Sequence, residues 1–261
     1  MIRLTLSTFV RAALLLTALT LVACGGNAEK PKVLPLLDSA RALNSDLRSD
    51  WQNTQDMLKS TLGEIEALPQ LTVDTKEFDA DLLRMALNEC FQSPLGTAAD
   101  ASAGAGAVDG KVSTNIETDE DAVKLCQGES LNALLDLSKR YDDEIAKFIK
   151  VKIRSVATLK VNLKNHLPTQ ATNIAEDYAR ARDQVEKWNV TVADLKKQAD
   201  AHEDMTADEK RQFRSDYEAM QKELQSLDAL LDGIEADSLN LNNQIRSGIE
   251  RVNQGLTTFG Q

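Results

Sequence analysis

Apolar residues recur along most of this chain at spacings of three and four, the period of an α-helix with one buried face. The clearest run lies in the last third. It reads Ile174, Tyr178, Ala181, Val185, Trp188, Val192, Leu195, Ala199 and His202. After a break it resumes as Phe213, Tyr217, Met220, Leu224, Leu227, Leu231, Ile234, Ser238, Leu241, Ile245, Gly248, Val252, Gly255 and Phe259. Eleven of these last fourteen positions are apolar, and a period of 3.5 held this long is the mark of coiled-coil packing. Thr206 followed by Glu209 has the form of a capping box that starts a helix. With only His202 to Met205 between the seams, residues 170–258 are expected to fold back as an antiparallel hairpin. Arms of about 36 and 50 residues would reach roughly 54 and 75 Å. Ser238, Gly248 and Gly255 weaken the seam, so that end should either pack closely or fray.

Upstream, Leu36, Ala40, Leu43, Leu47, Trp51, Leu58, Ile65 and Leu68 keep helical spacing and predict a first helix over Leu36–Leu68, ended by Pro69. A shorter helix is expected over Glu77–Phe91, with Phe78, Leu82, Met85 and Cys90 on it. Residues 93–121, rich in Ala, Gly, Ser, Thr and Asp, read as a low-complexity flexible loop. A third helix is expected over Ala122–Lys164. Pro168 disfavours helical geometry at Leu167 and predicts a turn there, the alternative being one bent helix that runs on. The fold class is all-α: an elongated helical bundle with a C-terminal antiparallel coiled-coil hairpin.

Charge and composition narrow the partners. The 261 residues carry 30 Lys and Arg against 41 Asp and Glu, a net charge of −11. That excess disfavours nucleic acid and anionic membrane surfaces as general partners. Aromatics make up 4% of the chain, too few for a stacking platform. One segment opposes the trend. Residues 147–164 hold Lys147, Lys150, Lys152, Arg154, Lys160 and Lys164 and no acid. This is a candidate interaction patch for anionic lipid head groups, acidic wall polymer or an acidic partner. The competing reading is that it neutralises acidic faces of neighbouring helices.

The first 23 residues have Arg3 and Arg11, no acid, and an apolar run from Ala12 to Val22. That run is shorter than the roughly 20 apolar residues that span a bilayer, and the arrangement is that of a secretory leader. Leu21-Val22-Ala23-Cys24 resembles the bacterial lipoprotein processing motif. The resemblance implies removal of residues 1–23 and a lipid on Cys24; from composition and spacing, residues 24–35 read as a tether and 36–261 as the helical domain. Gly25 in place of Asp resembles lipoproteins passed on to the outer membrane of Gram-negative bacteria, which implies a body facing the periplasm or the cell surface. Losing Arg3 and Arg11 would leave 28 basic and 41 acidic residues, a net of −13.

If Cys24 carries lipid, Cys90 and Cys126 remain as an even pair flanking the low-complexity loop. In an exported protein they are expected to form a disulfide worth about 3–4 kcal/mol. Two reduced cysteines acting as small buried apolar groups are the alternative.

Candidate chemistry is sparse. His166 and His202 have no second histidine or carboxylate at the spacing that sets two metal ligands on one helical face. No GxSxG elbow and no phosphate loop occurs. Acidic runs such as Asp119-Glu120-Asp121 and Asp142-Asp143-Glu144 read as solvated faces. No cofactor or metal is expected. The expectation is a lipid-anchored, non-catalytic envelope protein acting as an interaction or scaffold module. Its partners would be the membrane through the N-terminal lipid, and an unknown envelope protein or a second copy through the coiled coil. A carrier of a small apolar ligand and an enzyme with an interhelical carboxylate site are the alternatives.

Overall fold

Helical periodicity in the sequence becomes helix almost everywhere. The computed structural model describes residues 30–259 except 71–72, 75, 96–115, 117 and 127. In chain order the helices are α1 (Leu34–Ala67), α2 (Ala80–Gln92), α3 (Asp119–Leu125), α4 (Glu129–Ser138), α5 (Asp143–Val161), α6 (Leu167–Ala201) and α7 (Ala207–Thr258). A π-helical segment, Asn162–His166, joins α5 to α6 without a break. No strand occurs among the described residues.

Local chemistry accounts for most of the starts. Asp79 accepts from the Leu82 amide at 2.8 Å to open α2, and Asp142 accepts from Ile145 at 2.9 Å to open α5. Both sides of a capping box are present at Thr118/Asp121 and at Thr206/Glu209. The second of these starts α7 as expected, and the hairpin of α6 and α7 forms.

Two expectations are corrected. The segment Ala122–Lys164 is three helices rather than one. At the first break Gly128 lies so close to Glu89 that a Cβ would sit 2.1 Å from Glu89 Oε2 and 2.9 Å from its Cβ, so a larger residue there would displace the Glu89 side chain. The second break is set by Asp142, whose side chain begins a new helix after the turn at Arg140 and Tyr141. Pro168, expected to make a turn, instead lies in the first turn of α6 within a helical rod that continues from Asp143 to Ala201. The π segment explains this. Leu167 N donates five residues back to Asn162 O, so the proline ring falls where a new α-segment begins and a missing N–H is no loss.

Long-range pairs define the packing. Lys30 meets Glu209, Asn44 meets Glu223, and Glu66 meets Arg251, at sequence separations of 179, 179 and 185. A nearly constant separation means that α1 and α7 run parallel. Tyr178 donates to Glu235 at 2.6 Å, while Arg182 reaches Asp228, Asp232 and Glu235, so α6 runs antiparallel to α7. Asn162 with Thr61, and Lys152 with Ala67 and Leu68, set the α5–α6 rod antiparallel to α1. A three-helix coiled coil results.

Its core has two parts. At the hairpin end Leu37, Ala40 and Leu47 pack with Ile174, Val185, Trp188, Met220, Leu224 and Leu231. At the other end Leu58, Ile65 and Leu68 join Leu83, Phe91, Leu134, Ile153, Leu163, Val252 and Phe259. Buried Thr54 lies between them on α1 and donates to the Asp50 carbonyl at 3.0 Å. Asn44, 9% exposed, donates to Glu223 Oε1 and Ser226 Oγ. The Asn44 amide nitrogen reaches both acceptors in one register only, while its buried Oδ1 has no partner among the described residues, so Asn44 helps fix how α1 lies on α7.

Beyond α6, the seam of α7 is filled from within the chain. The backbone at Gly248 comes so near the π segment and α1 that a Cβ would lie 3.0 Å from Leu163 Cδ2 and 3.4 Å from Ile65 Cδ1. The weak end of the seam is therefore close-packed at Gly248. Replacing Gly248 by Leu overpacks this site and should lower stability by about 1–3 kcal/mol. Gly248→Ala should stay within about 1 kcal/mol of the parent, because helix propensity offsets a small shift of the facing methyls. Thermal unfolding followed by circular dichroism separates the two; equal melting temperatures for Leu and Ala would contradict this packing.

Candidate interaction surface

The basic segment, which runs from α5 into the π segment, divides into two faces. Helical spacing turns Lys152, Lys160 and Lys164 inward and leaves Lys147, Lys150 and Arg154 outward. The inward three do not meet acidic helix faces, as the neutralising reading expected. They meet the carbonyls that helices leave unpaired at their C-terminal ends.

Lys152, 8% exposed, donates to Ala67 O at 3.2 Å and Leu68 O at 2.9 Å, at the end of α1. Its ammonium also lies 5.6 Å from the Phe148 ring centre and 5.7 Å from that of Phe259. Lys160 is fully buried and donates to Leu125 O at 2.6 Å, Ser93 Oγ at 2.7 Å and Pro94 O at 3.1 Å. One amine thus joins the end of α3 to the residues just past α2. Lys164 donates to Phe91 O in the last turn of α2 and sits 4.5 Å from the Phe91 ring centre. A cation at a helix C-terminus is favoured by the helix dipole as well as by the hydrogen bonds.

Burial lowers the affinity of all three amines for their protons. Lys160 is pushed down to about 8 by burial and by the nearby charge of Lys164. A buried lysine beside Ser93 has the makings of a serine–lysine pair. Here the Ser93 hydroxyl donates to Cys90 O at 2.9 Å, and the three Lys160 contacts are all acceptors. The pair is taken up in closing helix ends.

The same segments are laced twice more. Cys90 and Cys126 sit as a disulfide with Cα atoms 4.2 Å apart. Glu89 accepts from Ser130 N at 2.9 Å and Ser130 Oγ at 2.6 Å. In this way it caps α4, whose own N-cap position is Gly128 and has no side chain to do so. Tyr141 Oη accepts from the Asp79 amide at 3.0 Å at the entry to α2. Together α2, α3, α4 and the first part of α5 form a head on the end of the coiled coil. Sequence reasoning missed Glu89, Ser93 and Tyr141. The one signal for Glu89 was a helix start with glycine at its cap.

On the outward face, Lys147, Lys150, Val151 and Arg154 follow one another at helical spacing, and Val151 is 51% exposed. Arg154 leans to Asp119, 3.9 Å away, and to Ile116 O. The sequence-expected patch is therefore half its apparent size. Cys24 and most of the low-complexity loop, residues 96–115, lie outside the described residues, while α3 begins at Asp119 inside the stretch expected to be loop. His166 lies half-buried in the π segment, where burial lowers its proton affinity, and His202 follows the last residue of α6. Among the described residues no three His, Cys, Asp or Glu side chains are grouped to hold a metal, and no helix is long and apolar enough to cross a membrane. A groove of about 550 Å³ between α1 and α7, lined by Leu58, Lys59, Leu62 and Gln244, is open to solvent.

No known family model, curated protein or solved structure matches this chain.

The lacing makes three predictions. Replacing both Cys90 and Cys126 by Ser should lower stability by about 4 kcal/mol, the entropy of closing a loop of this length. The head should nonetheless stay folded, because Lys160 and Glu89 join the same segments. Loss of the α2–α4 amide protection in hydrogen exchange would show otherwise. Lys160→Met leaves the Leu125 and Pro94 carbonyls without a donor and should cost about 2 kcal/mol at pH 7. Between pH 8 and the ordinary value of 10.5 the folded chain has released the Lys160 proton and the unfolded chain has not. This contribution to stability therefore rises with pH through that window. Chemical denaturation at pH 7.5 and 9.5 should show the rise in the parent and a flatter response in Lys160→Met.

Proposed function

We propose that this chain is a lipid-anchored, non-catalytic cell-envelope protein that holds a folded head away from the membrane as an interaction or scaffold module. The observation that carries this reading is the contact of Lys30 with Glu209, at 2.8 and 2.9 Å, at the hairpin end of the molecule. That contact holds the Glu209 carboxyl down to about 2, first through the Lys30 hydrogen bond and then through Thr206. Lys30 lies six positions after Cys24, a stretch that reaches about 20 Å when fully extended. A lipid on Cys24 would therefore keep the hairpin turn near the bilayer.

The head lies at the other end. From Ala201 back to Lys150 the rod of α6, the π segment and α5 covers roughly 75 Å at 1.5 Å per residue. The hairpin end also carries Asp200, Glu203, Asp204, Asp208 and Glu209 within ten residues. Such charge is repelled by anionic head groups and favours a rod that stands off the surface. Gly25 after the cysteine supports the outer membrane, with the head toward the periplasm, as the site.

Energy transfer to acceptor lipids tests the reading. The full chain, made in cells that process lipoproteins and reconstituted in vesicles, would carry a donor fluorophore at Glu203 or at Lys150. Strong quenching at Glu203 and little at Lys150 is expected, with both signals and the membrane association lost in Cys24→Ala. Equal quenching at the two positions would overturn the upright stalk, and membrane association of Cys24→Ala would overturn the anchor.

A further inference from the structure

We propose that the coiled coil is jointed at the level of Thr54, Gln170 and Ser238, so that the head swings relative to the hairpin end. The inference rests on the packing and stands without the lipid anchor. Buried apolar side chains form two clusters, which part between Leu47 and Leu58 on α1, Leu167 and Ile174 on α6, and Ile234 and Leu241 on α7. Half-buried Trp51 packs against both. These gaps share one level. Thr61 accepts from Asn162 at 3.2 Å, and the antiparallel course of α1 and the rod then sets Thr54 opposite Gln170. The offset of 179 to 185 residues between α1 and α7 sets Ser238 opposite residues 53–59.

What fills this level is polar and makes few ties across it. Asn44, the other polar residue in the α1 seam, reaches over to Glu223 and Ser226 on α7. The Thr54 and Ser238 hydroxyls instead bond within their own helices, to the carbonyls of Asp50 and Glu235. Gln170 Oε1 is buried with no partner among the described residues. Residues 51–55, 167–175 and 238–245 hold no charged side chain, so the i,i+4 ion pairs that brace α6 at Lys187 with Asp183 and Lys196 with Asp200 cannot form within them.

Each helix also has its own reason to bend here. Helices kink at proline, at π segments and where a hydroxyl competes for the backbone ladder. The rod has the first two side by side, in Asn162–His166 and Pro168. On α1, Thr54 and Thr61 both bond to carbonyls four residues back, and α7 has Ser238. The groove lined by Leu58, Leu62, Gly63 and Gln244 belongs to α1 and α7 alone, and a Cβ on Gly63 would meet nothing within 4 Å, which leaves these helices room to close. From Gln170 to Lys150 the rod covers about 30 Å. A kink of about 30° would carry the head sideways by roughly 15 Å while keeping it far from the hairpin turn.

Double electron–electron resonance on the full chain tests the joint, with nitroxides on noncanonical residues so that the three cysteines stay as they are. One labelled pair, Arg41 with Lys139, spans the joint. Arg41 with Lys197 and Lys139 with Glu250 lie on either side of it, and all four positions are exposed. The spanning pair is expected to give a distance distribution about twice as broad as either control. Thr54→Val, Gln170→Leu and Ser238→Leu together would join the two apolar clusters and should narrow the spanning pair to the width of the controls. Equal widths in the parent would overturn the joint, as would a broad spanning pair that a folded triple variant leaves unchanged. Amide exchange in the parent checks it without any variant. Residues 162–170 and 236–243 should exchange about ten-fold faster than the helix around Val192 and Leu224, and equal protection would also overturn the proposal.

Discussion

The apolar stripe of α7 sets the architecture. Fifty-two residues of helix carry a long apolar seam from Phe213 to Leu256, buried at most positions and interrupted at Ser238, and water must be kept off it. The antiparallel arm α6 covers only the first part. The remainder would be exposed unless a helix from elsewhere in the chain lay along it, and α1 does so, running parallel to α7 from Leu34 to Ala67. At roughly 25 cal/mol per Å² of apolar surface removed from water, this one requirement outweighs any single polar contact in the molecule. It also decides where the ends fall, with the start of α1 at the hairpin turn and its last carbonyls in the head.

Bringing so many helix ends into one place creates a second problem. The C-termini of α1, α2 and α3 all arrive around α5, and carbonyls buried there without donors would each cost about 1–3 kcal/mol. Lys152, Lys160 and Lys164 supply the donors, one lysine to each end, and the rings of Phe148, Phe259 and Phe91 lie beside the amines of Lys152 and Lys164. Burying an ammonium without a carboxylate is unfavourable, as the lowered proton affinity of all three shows. It is tolerated because the carbonyls and the helix dipoles stand in for a counter-ion. The outward lysines of the same helix have no such task and face solvent.

Much of this was legible in the residues. The hairpin followed from the seam and from Thr206 with Glu209, and the first helix from its spacing and Pro69. Gly128 and Asp142 did not stand out, because apolar spacing continues across both breaks and hides them. Pro168 misled for a different reason. The rule that proline ends a helix is local, and the π segment before it supplied a hydrogen-bonding shift that the rule does not include. Of the six basic residues in the candidate patch, the direction of the five on α5 was set by its period and that of Lys164 by the π segment, but what the inward ones would meet was not legible.

By itself, then, the sequence determined the helices, most of their caps, the hairpin, and the net negative charge. All of these rest on residues within a few turns of each other, where spacing and side-chain chemistry act directly. Tertiary structure alone decided that α1 lies parallel to α7, that three lysines close three helix ends, and that Lys147 and Lys150 are left over. Those outcomes depend on groups up to about 180 residues apart. An apolar or cationic face records that it must be covered or paired, and leaves to the packing of the whole chain what will do it.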